Sequence, residues 1–426
     1  MKRVTATYEI ESPLGIARGA AALAGEQSTG TFGKVLLETD DLRARHGARI
    51  EELTVTGISD HPALPSRTQG TNYERGHARI SWPLENFGTQ LPTLLATIAG
   101  NLFELADLSA VRLTDLDLPS DFAATNPGPQ FGAAGTRQAI GSHDGPIIGT
   151  IIKPSVGLTP VATADLVKEM AEAGIDFIKD DELQANGPHN PLAERVAAVQ
   201  RVLNDHEDKT GKRVIYAFNI TDEIDVMWRN LDLLAEHGAF CPMVCVNAVG
   251  ISGLRAVRDR SPFMIHAHRA GWGLYSRSPD IGISFQVWQK LWRLAGADHL
   301  HVNGLASKFT EEDQIVAASA RSVQAPLFCD GGPEYSAMPV YSSAQTVWQI
   351  APAQKVLGND DFIYCAGGGI QSHPDGPGAG VTALRQAADA ARKGIDIETY
   401  AASHPQLQTA LETFRRPTLG QIPGLS

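Results

Sequence analysis

Cysteine is scarce in this chain: four in 426 residues, at positions 241, 245, 329 and 365. Three residues separate Cys241 from Cys245, but no second cysteine or histidine pair lies beside them to finish a zinc site. Cys245 and Cys365 sit in apolar runs where a thiol behaves as a small hydrophobe. All four are expected to be reduced thiols in a cytoplasmic protein. Positive charge is also in short supply. Lys and Arg number 36 against 48 Asp and Glu, for a net charge of -12 and a pI near 5.5. Nucleic acid and anionic membrane both need a basic face, so neither is an expected partner. A phosphorylated small molecule stays open, through a locally basic pocket. Long apolar runs are missing too. No stretch approaches the ~18 residues of a membrane span, and the opening MKRVTATYEIESPLG has no apolar core of signal-peptide length. Internal repeats and low-complexity tracts are absent from the sequence.

What is present is ordinary for a globular protein, with 43% hydrophobic and 20% charged residues. The length allows two domains. Up to about residue 123 strand and helix signals mix: residues 4–10 alternate, 33–39 are strand-like, and 90–105 read as an apolar helix. Residues 124–145 are rich in Gly, Pro, Asn and Ser, which marks a linker. From 146 to 426 short apolar strands alternate with helical segments. Candidate strands lie at 147–152, 177–179, 214–218, 243–246, 263–268, 299–302, 338–341 and 362–365, with helices such as 163–173 and 192–207 between them. Eight such units over about 250 residues suit a (β/α)8 barrel, an α/β fold whose chemistry lies at the carboxyl ends of the strands.

The run Phe177-Ile178-Lys179-Asp180-Asp181-Glu182 carries the most information. A lysine among carboxylates at the end of a buried strand is costly to desolvate unless something neutralises the cluster. A divalent cation does so, and hard oxygen ligands such as Asp181 and Glu182 suit Mg2+. Two acids give two ligands, and Lys179 adds a third oxygen only if CO2 carbamylates it. Standing alone, the run reads better as a solvated charged turn.

It does not stand alone. Glu26-Gln27-Ser28-Thr29-Gly30-Thr31-Phe32, Gly100-Asn101-Leu102-Phe103 and Ile152-Lys153-Pro154 precede it. His266-Ala267-His268-Arg269, Asp298-His299-Leu300-His301, Ser307-Lys308, Ser342 and Gly367-Gly368-Gly369 follow. In this order, over nearly the whole chain, the series resembles the large subunit of RuBisCO. The resemblance implies a smaller α+β, ferredoxin-like domain at 1–123 before the TIM barrel.

It also implies residue roles. Lys179, carbamylated, would hold Mg2+ with Asp181 and Glu182, and Lys153 would transfer protons. His268 would be catalytic, and Lys308 would contact a substrate carboxylate from a mobile loop. Arg269, His301, Ser342, Gly367 and Gly368 would hold phosphate or substrate, while His266 and His299 are expected to be structural. Glu26, Thr31, Phe32 and Asn101 would reach into a neighbouring subunit's active site, making a homodimer the working unit. Three departures stand out: Ser155 replaces a second lysine, Ser343 and Ala344 replace a glycine pair, and Phe32 replaces a tryptophan. The first two, with the short chain, point to the RuBisCO-like group rather than to authentic carboxylation. Members of that group form a metal-bound enediolate from a phosphorylated carbonyl compound. The site implies 3-oxo-isoapionate 4-phosphate, a phosphorylated keto sugar acid, ahead of the diketo methylthiopentyl phosphate of methionine salvage. Authentic ribulose bisphosphate carboxylation and a non-catalytic phosphate-binding protein are the further alternatives.

Overall fold

A computed structural model describes residues 2–30, 35–141 and 144–425. In chain order the strands are β1 (Arg3–Ser12), β2 (Arg49–Ser59), β3 (Tyr73–Pro83), β4 (Ala110–Asp117), β5 (Ile147–Ile151), β6 (Phe177–Lys179), β7 (Ile215–Asn219), β8 (Pro242–Cys245), β9 (His266–His268), β10 (Ile281–Ile283), β11 (His299–His301), β12 (Met338–Tyr341) and β13 (Ile363–Cys365).

Two compact units result. The first is Met1–Pro127 with Gly271–Ala295 and Pro326–Glu334; the second is Gly128–Ala270 with Gly296–Ala325 and Tyr335–Ser426. The first unit is therefore not one continuous piece of chain. Its sheet runs β10-β4-β1-β3-β2. Helices Ile16–Glu26 and Leu91–Ala99 complete a β-α-β-β-α-β order, the ferredoxin-like arrangement. β1 alternates as its sequence implies, with Val4, Ala6, Tyr8 and Ile10 buried. Residues 35–39 form no strand. They turn, with Leu36 and Leu37 exposed, and lead to helix Asp40–His46, whose cap is the Thr39 side chain. The expected helix at 90–105 breaks at Gly100, and a short 3-10 turn, Asn101–Glu104, follows.

The second unit holds a closed eight-strand parallel barrel, β5-β6-β7-β8-β9-β11-β12-β13. Its interior is packed by Ile147, Phe177, Ile215, Met243, Val340 and Ile363 among others. Both faces of these strands are buried, so most read as brief apolar runs, with His-Ala-His in β9 and His-Leu-His in β11 as exceptions. Helix Pro160–Glu172 starts with a Thr159 cap and Pro at its first turn; helix Leu192–Thr210 stops at left-handed Gly211. Residues 124–145 are more than a connection, because they contain helix Gly132–Ile140. The amides of Phe131 and Gly132 donate to Asp298 Oδ1 at 2.5 and 2.9 Å, and Ile140 joins the barrel core. This helix closes the amino end of the barrel, opposite the ends that carry the candidate site. Cys241, Cys245 and Cys365 are buried free thiols and Cys329 is exposed. Among the described residues no helix is long and apolar enough to cross a membrane.

Candidate active site at the carboxyl end of the barrel

Lys179 is the last residue of β6 and is fully buried. Its Nζ donates to the Asp180 carbonyl at 2.6 Å and lies 3.9 Å from Glu182 Oε2. The four charged residues of this run divide by role. Asp180 turns away from the other carboxylates. It pairs with buried Arg195 at 3.1 Å and accepts from the Tyr216 hydroxyl at 2.6 Å and the Asn219 amide at 2.9 Å. That closed network holds the strand end in place. Asp181 and Glu182 are left to face Lys179.

Lys153 reaches the same place from the end of β5. Its Nζ donates to Asp181 Oδ2 at 2.6 Å and to Ser155 Oγ at 2.9 Å. The serine that stands where a second lysine was expected thus supplies a hydrogen-bond acceptor to Lys153 in place of a repelling cation. Gln371 fixes the backbone here, accepting from the Lys153 amide at 2.9 Å and donating to Thr150 Oγ1 at 2.9 Å. Burial pushes the Asp181 carboxyl up. The hydrogen bonds from Lys153 and the Leu183 amide, with the charges of Lys153 and Lys179, outweigh it and hold the group below the usual carboxylate range.

His268, from β9, completes the cluster. Its Nδ1 accepts from the Ala270 amide at 3.2 Å, so in the neutral ring the proton sits on Nε2, which lies 3.5 Å from Glu182 Oε2. Burial first, then the charges of Lys179, Arg269 and Lys153, push this imidazole well below its ordinary value.

Lys153, Lys179, Asp181, Glu182 and His268 therefore converge. The other expected residues do not all join them. Arg269 is buried and pairs with Glu311 at 2.7 Å. His301 spends both ring nitrogens inside the barrel, on His266 at 2.8 Å and on Ser342 Oγ at 3.0 Å. Lys308 is exposed, with Nζ 5.4 Å from the Phe309 ring centroid. Gly367 and Gly368 open a four-residue helix with room around them, whereas a Cβ on Gly369 would meet the Gln345 carbonyl at 2.2 Å. Glu26 and Asn101 lie in the first unit, on either side of Gln27, whose side chain orients to accept from the Asn101 amide at 3.1 Å. Thr31 and Phe32 fall outside the described residues. Gln371 and Arg195 were not singled out by sequence. Nothing in their local pattern could have done so, since each acts through a partner supplied by the fold.

Residues 2–122 match the ribulose bisphosphate carboxylase large chain, N-terminal domain, and residues 132–414 match the catalytic domain of the same chain. The chain belongs to the RuBisCO large-chain family. A 3-oxo-isoapionate-4-phosphate transcarboxylase/hydrolase of Xanthobacter autotrophicus is 50% identical over 97% of this chain and 100% of that protein. A 3-oxo-isoapionate-4-phosphate decarboxylase of Rhizobium etli is 41% identical over 96% of this chain and 98% of its own length. The crystal structure of a rubisco-like protein from Burkholderia fungorum superposes with a TM-score of 0.91 at 42% identity, covering 97% of this chain and 100% of that one.

RuBisCO family members use Mg2+ with a carbamylated lysine. The donor set here fits that use. Among the described residues no three His, Cys, Asp or Glu side chains group as metal ligands. Asp181 and Glu182 make two, and the side chain that faces them from the buried strand end is Lys179.

The replaced glycine pair has a structural cost. Ser343 and Ala344 keep the left-handed backbone that glycine takes freely, at φ 71° and 55°. Ala344→Gly is therefore expected to raise stability by about 1 kcal/mol, read as a higher denaturant midpoint at an unchanged slope.

Proposed function

We propose that this protein cleaves the carbon–carbon bond to the carboxylate of 3-oxo-isoapionate 4-phosphate or a closely similar keto sugar-acid phosphate, with transfer of the carboxyl group and hydrolysis. The observation that carries this reading is the gathering of Lys153, Lys179, Asp181, Glu182 and His268 at one barrel end, in a chain half identical to an enzyme named for that reaction. Lys179, once carbamylated, would hold Mg2+ together with Asp181 and Glu182. Bound there, the cation would supply Lewis-acid stabilisation to a substrate oxygen on which negative charge develops.

The chain's own groups do the rest. Lys153 Nζ carries a proton beside Asp181, and its hydrogen bonds to Asp181 and Ser155 aim that proton along one direction. It serves as the acid that quenches a developing carbanion and as the base once that proton has gone. His268 presents Nε2–H and stays neutral, so it donates a hydrogen bond to a developing oxyanion without adding charge. The Asp180–Arg195–Tyr216 network keeps the strand end from shifting as charge builds up. A homodimer in which Glu26, Thr31, Phe32 and Asn101 serve the partner subunit's site belongs to the same proposal.

The test is a 13C and 31P NMR time course with the substrate, Mg2+ and bicarbonate. Glycolate plus phosphoglycerate is the expected result. A tetrulose phosphate plus CO2 would make the protein a decarboxylase, the activity named for the 41% identical relative. No change, from protein shown by calorimetry to bind Mg2+, would refute the sugar-acid reading and move the methylthio enolase to first place.

A further inference from the structure

A line of hydrogen bonds runs through the barrel interior from the carboxyl end of β12 to the helix that closes the amino end. Ser342 Oγ lies 3.0 Å from His301 Nδ1, and His301 Nε2 lies 2.8 Å from His266 Nε2. His266 Nδ1 is 3.3 Å from His299 Nδ1, and His299 Nε2 is 2.9 Å from Thr136 Oγ1. Thr136 Oγ1 in turn lies 2.5 Å from the Gly132 carbonyl oxygen. Both nitrogens of each ring are used within this line. His266 and His299 are fully buried and His301 is 3% exposed. Phe177 packs against the rings of His266 and His299 at 5.1 and 5.9 Å between centroids. Burial pushes all three imidazoles down, so they are neutral at ordinary pH.

A neutral imidazole has one N–H, so each ring donates at one nitrogen and accepts at the other. The direction of the whole line then follows from its end. Two oxygens at 2.5 Å require a proton between them, and a carbonyl has none to give. Thr136 must therefore donate to Gly132 O. Its oxygen accepts from His299 Nε2–H, which leaves His299 Nδ1 as an acceptor. His266 donates to it from Nδ1 and accepts at Nε2. His301 donates from Nε2 and accepts at Nδ1. The last proton in the line is that of Ser342, and it is committed to His301.

We infer that the Gly132 carbonyl, acting through Thr136 and the three histidines, fixes Ser342 as a hydrogen-bond acceptor toward substrate. A serine held this way offers only lone pairs. It selects a donor, such as a hydroxyl of a polyhydroxy carbon skeleton, and disfavours a phosphate or carboxylate oxygen, which needs a donor itself. Thr136, His299, His266 and His301 are positioning residues on this view, acting through Ser342. The class of ligand rests on the sugar-phosphate reading above. The polarity of the line does not, because it is a property of the ligand-free protein.

Neutron diffraction from deuterium-exchanged crystals of the full chain, without substrate, reads the polarity directly. Deuterons are expected on His299 Nε2, His266 Nδ1 and His301 Nε2, with His301 Nδ1 bare. A deuteron on His301 Nδ1 overturns the proposal whatever reaction the enzyme performs. Thr136→Val keeps the side-chain shape and removes the hydroxyl. It leaves His299 Nε2 facing a methyl group, so the line is expected to reverse and place the deuteron on His301 Nδ1. A deuteron that stays on His301 Nε2 in this variant would show that the Gly132–Thr136 end does not set the direction, and would also overturn the proposal.

Discussion

Lys179→Met is expected to leave a folded protein that turns over substrate at least roughly a thousandfold more slowly. Lys179 is fully buried, but Asp181 keeps its ion pair with Lys153 at 2.6 Å and Glu182 reaches solvent, so removing the Lys179 charge leaves neither carboxylate buried without a partner. The variant should therefore unfold near the parent's melting temperature. The third oxygen that a carbamate on Lys179 would supply is gone, however, and two carboxylates alone should hold Mg2+ weakly. Calorimetry with Mg2+ and bicarbonate would show the lost binding, and the NMR time course the lost turnover. Undiminished turnover in Lys179→Met would rule out the carbamate. The same variant tests the proposed dimer. Mixed with a Glu26→Gln chain, itself expected to be inactive, it should regain part of the activity, because one composite site in each mixed dimer keeps both residues. Mixed dimers that form and stay inactive would count against sharing of the site between subunits.

Acid is expected to weaken the fold well before it protonates the carboxylates. His299 is pushed down to about 3 by burial. An unfolded chain carries the same residue near its ordinary value of about 6.5. Below that value the unfolded state takes up a proton that the folded state refuses. Stability from this group is therefore full above pH 6.5 and is lost progressively as pH falls toward about 3. Going from pH 7.5 to pH 5 should cost about 2 kcal/mol through His299 alone. His266 and His301, also pushed down first by burial, add to the loss with the same sign. Asp298 works in the opposite sense, since burial raises its carboxyl despite three amide hydrogen bonds. Urea midpoints at pH 7.5, 6 and 5 check the prediction, with His299→Gln expected to flatten the dependence. A midpoint that does not move across this range would mean that the fold takes up protons as readily as the unfolded chain, against the burial argument.

The barrel was legible because of how its strands are buried. β6 and β12 have the bounds read from sequence, since a short run such as Phe177-Ile178-Lys179 has apolar surroundings on both faces and a charged cluster just beyond. The first unit was harder. β2 is an edge strand with most positions exposed, so its sequence shows no clean alternation. Leu36 and Leu37 imitated a strand, although they lie exposed in a turn. The glycine-rich composition of 124–145 hid the helix Gly132–Ile140, whose reason to form is its docking on Asp298 and the barrel core. The candidate site followed the same division. Lys179, Asp181 and Glu182 announce themselves as a charged run after a buried strand, and His266 and His268 by their two-residue spacing. Arg195, Gln371 and Thr136 do not, because each depends on a partner that only the fold brings to it.

The mixed parentage of the first unit's sheet has a consequence for how the protein is made. β10 pairs with Val111 to Leu113 of β4, yet it emerges from the ribosome long after β4 has been synthesised. At 5–20 residues per second the outer edge of β4 waits about ten to thirty seconds for its neighbour. During that interval the nascent chain displays an unpaired strand edge, the kind of surface on which newly made polypeptides associate wrongly. A fragment ending at Pro127 would never acquire the missing strand, and a chaperone holding the nascent chain would be needed longest while residues 128 to 283 are still being translated.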